Sequence, residues 1–224
     1  MPAQVRIMVG YHLPRHIHYC EIGSQRVFLD LQADRYFSLP DAADAAFGTL
    51  TEPRLREPTD GLTALAAAGL LVRPPEGRPP APTVHPRPVA SLLEESSGSG
   101  GSNSAIPEVA LLVLRARSGV RRRQLPRLLS ERVRARAAAG GGSVGRDEAV
   151  HAFLRARRLI PVAPNCLYDS LALRRYLQRR SIAVDLVIGA KLHPFGAHCW
   201  LQDGSLVLND SLASARDFAP ILVA

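Results

Sequence analysis

Residues 74–104 read PPEGRPPAPTVHPRPVASLLEESSGSGGSNS, a stretch that no single packed core accommodates in its middle. Proline stiffens its first part and the Gly/Ser run from Ser96 to Ser104 loosens its last, so neither portion buries enough apolar surface to fold alone. Two domains are therefore expected, residues 1–80 and 106–224, with 81–105 as the linker between them. A chain of 224 residues is long enough for two small cores. Its 46% hydrophobic and 21% charged residues are a globular balance, and with only 5% aromatic residues the cores depend on leucine, valine and alanine.

Charge divides along the same line. Residues 1–80 carry 8 basic and 9 acidic side chains, whereas 106–224 carry 19 and 9; nearly all of the cations are arginine, as in LRARSGVRRRQLPRLLSERVRARAAA and FLRARRLI. At helical spacing these arginines are expected on a solvated face with the leucines and valines turned inward; a dock for an acidic partner is the competing reading. Nucleic acid is not an expected partner, because no stacking aromatics interleave the arginines and the first domain lacks a positive footprint. No apolar run reaches the roughly 18 residues of a membrane span, and MPAQVRIMVGYHLP lacks the pattern of a signal peptide. A cytoplasmic location is expected. Three cysteines, Cys20, Cys166 and Cys199, with no C-x-x-C pair, argue against a disulfide framework or a zinc cluster, and the seven histidines form no H-E-x-x-H. No metal and no cofactor are expected.

HIHYCEI, RVFLDL and RYFSL read as three short strands separated by Gly-Ser and QAD turns. PDAADAAFGTL, opened by Pro40, and PTDGLTALAAAGLLV, with a Thr/Asp cap and a Gly69 stop, read as helices. This content suggests a small winged-helix-like α+β unit. After the linker, an arginine-rich helical stretch interrupted by Pro126 runs to the glycines of AAAGGG, and DEAVHAFLRARRL and NCLYDSLALRRYLQRR follow as helices. IAVDLVIGA, GAHCWLQ and SLVLND read as strands, the last two joined by an Asp203-Gly204 hairpin.

Cys166 follows Pro-Asn at the head of a helix. Asn165 caps that helix in this reading, and the unpaired N–H groups and positive pole of the first turn favour a thiolate. The Cys166 amide is then also placed to bind an oxyanion. A structural cysteine at a helix start explains the same residues, so the weight falls on what lies downstream. His198 on one strand and Asp210 at the end of the next complete a nucleophile, base and orienting acid in chain order. A two-residue Asp203-Gly204 loop would pair Gln202 with Ser205 and set Asn209 opposite His198. A three-residue loop pairs Leu201 with Ser205 and puts His198 and Asp210 on one face. Asp210 is the first choice of orienter, Asn209 the second and Asp203 the third. Cys199 alternates to the opposite face and is expected to pack in the core. Trp200 shares the His198 face and either shields the imidazole or fills the core. His193 is expected in a loop, and Ser170 as a helix-packing residue.

With these residues in place, CLYDSLALRRYLQRRSIAVDLVIGAKLHPFGAHCWLQDGSLVLND resembles the transglutaminase-like core of the lasso-peptide maturation B proteins, the leader peptidases of that pathway. C-L-x-x-S-L-A-L, P-F-x-A-H-x-W and the terminal N-D carry the resemblance; Cys199 departs from it, alanine being the more usual neighbour of the histidine. The family is similar to papain-type proteases and transglutaminases, which implies catalytic roles for Cys166, His198 and Asp210. The first domain is similar, less specifically, to the leader-recognition element of the pyrroloquinoline-quinone chaperone type. That likeness implies a groove formed by Tyr36, Phe37 and Ser38 on the third strand and by the helix through Leu62 and Leu65, in which the leader adds a strand. The fold class implied is α+β, a winged-helix-like leader-recognition domain fused to a transglutaminase-like, papain-like cysteine protease domain. The partners implied are a precursor peptide and a separate ATP-dependent lasso cyclase. Amide transfer, leader binding without catalysis, and a winged DNA-binding regulator are the alternative functions.

Overall fold

Aromatic and β-branched residues are frequent in IHYCEI and QRVFLD, and these segments form β1 (Ile17–Ile22) and β2 (Gln25–Asp30), paired antiparallel. The computed structural model describes residues 10–50, 59–73, 76–95, 105–130 and 143–224. It divides into two units between Thr83 and Val84.

In the first unit, Ile22 pairs with Gln25 across a two-residue turn in which Gly23 takes φ +62°, a conformation that glycine adopts without a Cβ clash. β3 (Arg35–Phe37) completes a sheet of order β1-β2-β3. The helices α1 (Asp41–Gly48) and α2 (Asp60–Ala67) follow, the second capped by Thr59, whose Oγ1 accepts from the Leu62 N–H at 3.3 Å. Tyr19, Phe28 and Phe47 meet at centroid distances of 5.1–5.5 Å, and Leu62 and Leu65 join them in the core. This corrects part of the expected groove. Leu62 and Leu65 are 3% and 6% exposed and face the core, because the apolar stripe of α2 covers the sheet face that offers aromatic surface. Phe37 also turns inward, stacked on Phe28 at 5.2 Å. Tyr36 is half-buried, and Ser38 is exposed just beyond the strand end.

The second unit holds a five-stranded sheet of order β4-β7-β6-β5-β8, formed by β4 (Ala90–Ser91), β5 (Asp185–Lys191), β6 (Gly196–Asp203), β7 (Leu206–Val207) and β8 (Ala219–Val223). Its helices are α3 (Leu92–Glu95), α4 (Ile106–Arg121), α5 (Leu125–Ser130), α6 (Ser143–Arg158), α7 (Cys166–Gln178) and α8 (Leu212–Arg216). Among them, α7 packs on β6 and is backed by α4 and α6. Leu173 and Leu177 of α7 and Leu186, Leu201 and Leu208 of the sheet region are fully buried, each contributing about 1.5–3 kcal/mol of apolar transfer.

Two expectations change here. Residues 84–95, expected as linker, belong to the second unit: β4 pairs parallel with β7, and Leu92 is 2% exposed. The prolines that suggested a free connector supply carbonyl acceptors instead, and an edge position tolerates their missing N–H. The Gly/Ser run lies outside the described residues. The arginines also do not all face water. Arg157 and Arg174 are 8% and 7% exposed and donate to main-chain carbonyls of Ile160, Val162 and Leu129, an arrangement open to a guanidinium with several donors. Others are on the surface, where Arg179 and Arg180 pair with Glu108.

Candidate active site

The start of α7 is fixed from both sides. Asn165 is extended (φ −151°, ψ 123°), and its Oδ1 accepts the N–H groups of Leu167 and Tyr168, each at 3.1 Å. One turn on, Asp169 Oδ2 accepts the Asn165 N–H at 3.2 Å while its Oδ1 accepts from Arg157 Nε at 2.7 Å. Cys166 is thus held, half-buried, at the first helical position, where a backbone N–H has no partner within its own helix.

β6 carries His198 opposite Gly189 of β5. The imidazole is hydrogen-bonded on one side to Cys166 and through Nε2 to Asp210 Oδ2 on the other, so Nδ1 is the nitrogen left to face the sulfur. Asp210 is held in turn: Oδ1 accepts the Ser211 N–H at 2.7 Å, and Oδ2 also accepts from Ser214 Oγ at 3.0 Å. The structure therefore brings Cys166, His198 and Asp210 together, as the sequence suggested, by a register that the sequence did not suggest. Asp203 pairs with Leu206 and Gln202 with Val207 around a Gly204-Ser205 turn, so neither expected loop forms. Continued in that register, Asp210 would sit opposite Cys199 and point away from the histidine. The chain leaves the ladder first: Leu208 still donates its N–H to the Leu201 carbonyl at 2.9 Å, but the chain bends there, and the Leu201 N–H is accepted by the side-chain Oδ1 of Asn209 at 2.7 Å. That bend turns Asp210 toward His198. Asn209, the second choice of orienter, instead ties the bend to α7 by donating from Nδ2 to Ser170 Oγ at 2.9 Å, and Ser170 donates to the Cys199 carbonyl at 3.1 Å. Asp203, the third choice, bonds Arg146.

The electrostatics follow from these contacts. Burial pushes the Cys166 thiol up, but the hydrogen bond and charge of His198, with backbone N–H groups of Cys199 and Leu167, outweigh it and leave the thiol below its ordinary value. His198 is pushed up to about 9, first by its hydrogen bond to Asp210 and next by that to Cys166. Burial raises Asp210, yet the bond to His198, the Ser211 N–H, the His198 charge and the Ser214 hydroxyl hold it below the usual carboxylate range. The three groups favour a thiolate, an imidazolium and a carboxylate, titrating as one coupled set.

Aromatic rings close the far side of the imidazole. Trp200 stacks on His198 at 6.0 Å and Phe218 lies at 5.2 Å, while Trp200 Nε1 donates to the buried Gln202 Oε1 at 3.0 Å. Gly189 makes the room: a Cβ there would stand 2.7 Å from Phe218 Cβ and 2.9 Å from the Trp200 ring. Gly189→Ala is expected to lower stability by about 1–3 kcal/mol through overpacking, read as a lower midpoint in thermal unfolding. Cys199 is buried at 3% exposure, its thiol pushed up by burial, in keeping with a packing role. His193 is exposed in the β5–β6 loop. Ser170, Ser214, Asn209 and Gln202 support the site in ways that sequence reasoning did not assign to them; a buried position in an apolar run was the only signal for Ser170 and Gln202. Among the described residues no cluster of histidine, cysteine and carboxylate side chains could hold a metal ion, and no helix is long and apolar enough to cross a membrane.

A cysteine at a helix start, with a histidine on the sheet packed against that helix and an aspartate in the bend beyond β7, is the geometry beside which the comparison of families stands. Residues 109–223 match the transglutaminase-like superfamily, and the chain belongs to it. It is also similar to the microcin J25-processing protein McjB of Escherichia coli, at 45% identity over 47 residues, which are 21% of this chain and 23% of that protein. The match thus spans less than a quarter of the length of that curated relative. Both findings support the resemblance to lasso-peptide maturation B proteins. No solved structure matches the chain.

Proposed function

We propose that this chain is a cysteine peptidase of lasso-peptide biosynthesis, which binds the leader of a ribosomally made precursor peptide and cuts it from the core. The observation that carries the reading is the hydrogen-bonded series Cys166, His198, Asp210, with the sulfur half-exposed at the head of α7. In this mechanism the Cys166 thiolate attacks the scissile carbonyl, and the carbonyl oxygen takes up charge beside the Cys166 N–H. The C–N bond then breaks as the His198 imidazolium passes its proton to the leaving amine, giving a thioester. His198 next takes a proton from water, the hydroxide adds to the thioester carbonyl, and the leader leaves as a carboxylic acid while the thiolate is restored beside the imidazolium. Asp210 holds the ring and its positive charge throughout.

Leader binding falls to the first unit, read as winged-helix-like. There β3 lies at an edge of the sheet, the position from which a peptide strand is added, and Tyr36 and Ser38 are the groove residues left on its outer side. The freed core amine passes to a separate ATP-dependent cyclase. Amide transfer is the second reading, favoured by the superfamily and by the fact that a thioester accepts amines as well as water. Incubating the full chain with a leader-core precursor and weighing the products separates them: hydrolysis gives two shorter peptides whose masses sum to precursor plus one water. A coupled product of higher mass would favour transfer, and an unaltered precursor in the presence of every pathway protein would count against catalysis.

A further inference from the structure

We propose that the strap formed by residues 84–95 is a positioning element of the Cys166–His198–Asp210 site, with Ser91 and Glu94 as its positioning residues. The inference rests on the peptidase reading and adds residues to it. Ser91, 1% exposed, donates from Oγ to the Asp210 carbonyl at 2.6 Å and accepts the Leu93 N–H at 3.2 Å, so the acid's backbone is pinned from behind. Glu94 Oε1 accepts the Leu212 N–H at 2.9 Å at the start of α8, the helix that carries Ser214 to the Asp210 carboxylate. A third contact reaches the base: the Pro86 carbonyl accepts from Gln202 Nε2 at 2.7 Å, and Gln202 holds the indole that stacks on His198. Val89 N–H to the Ser205 carbonyl and Arg216 Nε to the Pro88 carbonyl, both 2.9 Å, lace the strap down between these points. One hydrogen bond from the strap therefore ends on the acid, a second on the helix that carries its hydroxyl donor, and a third on the residue that holds the indole stacked on the base, more than a two-residue parallel ladder needs for itself. The other charged groups near the ring are Lys191 and Asp217, paired at 3.7 Å with Lys191 over the Phe218 ring.

The test is the rate of Cys166 alkylation by iodoacetamide against pH, followed by peptide mass mapping, in the full chain and in Ser91→Ala, Glu94→Ala and Glu94→Gln. Once the strap no longer pins it, Asp210 supports the imidazolium less well and the thiolate forms at higher pH. The acid limb of the alkylation profile is expected to rise by about half a unit to one unit in both alanine variants, with a fall of about three- to tenfold near pH 6, the equivalent of one hydrogen bond. Glu94→Gln keeps an acceptor oxygen and is expected to track the wild type. Glu94 is exposed, so its variants fold whatever becomes of Ser91→Ala. Alanine profiles that superimpose on the wild type, with or without a lower unfolding midpoint, would overturn the proposal and leave the strap a structural strand. Because alkylation needs no precursor, a wild-type chain that reacts but does not cleave would defeat the peptidase reading alone.

Discussion

Cys166→Ala is expected to leave a precursor peptide at its full mass under conditions in which the wild-type chain shortens it, a loss of at least about four orders of magnitude in rate. The size follows from what the change removes. Alanine keeps the first helical position, Asn165 still caps Leu167 and Tyr168, and Asp169 still holds the cap from below, so the fold has no reason to fail. The only group removed is the atom proposed to form the covalent intermediate. Mass spectrometry of a precursor time course reads the result directly. Cleavage that continued in the alanine variant, with thermal unfolding unchanged, would mean that the sulfur is not the nucleophile.

Asp210→Asn is expected to cost about 10²- to 10⁴-fold in kcat with a small effect on KM, the pattern of an orienting acid replaced by its amide. It also has a pH signature whose sign can be worked out. The His198 pKa is raised, to about 9, and the hydrogen bond to Asp210 is the largest cause. A raised base is protonated below that value and loses its proton above it, so wild-type activity that depends on the imidazolium should decline as pH passes about 9. Removing the carboxylate charge lets the imidazole fall back toward its ordinary range, and the alkaline limb moves down with it. The thiolate loses part of its partner's charge at the same time, so the acid limb moves up and the plateau narrows from both ends. A profile of unaltered width in the Asp210→Asn variant would take Asp210 out of the site.

The longer helices and most strands were legible because local chemistry decides them, whereas the short α3 and α8 and the strand β8 were not read. Asn165 before Cys166 is a cap in the sequence and a cap in the structure, and Gly23, Thr59 and Gly69 punctuate the first unit as their residue types suggest. Cys166, His198 and Asp210 could be proposed together because each sits at an element boundary or on an alternating strand. The hairpin was harder. Both expected loops assumed that Asp203 lies in the turn, but the turn is Gly204-Ser205 and the strand that follows is short, Leu206 and Val207 with one further main-chain bond from Leu208. What rescues the geometry is Asn209, whose side chain replaces a main-chain acceptor, and no period-two pattern can announce such a substitution. β4 escaped notice for a related reason. A two-residue parallel strand inside a proline-rich run has no periodicity, and its stability comes from partners more than a hundred positions away, Ser205 to Asp210. Arg157 shows the limit of charge patterns: it belongs to a run that reads as solvated, yet it is buried against the turn that precedes the cysteine.

The strap also says where such a protein can be cut and rejoined. Anyone building chimaeras, in which a different module is spliced ahead of this transglutaminase-like unit, would be drawn by the glycine-serine run to make the join there. Residues 84–95 would then be discarded with the module, and the transplanted half would lose an edge strand and the hydroxyl behind its acid. A junction placed before Val84 carries the whole assembly across intact.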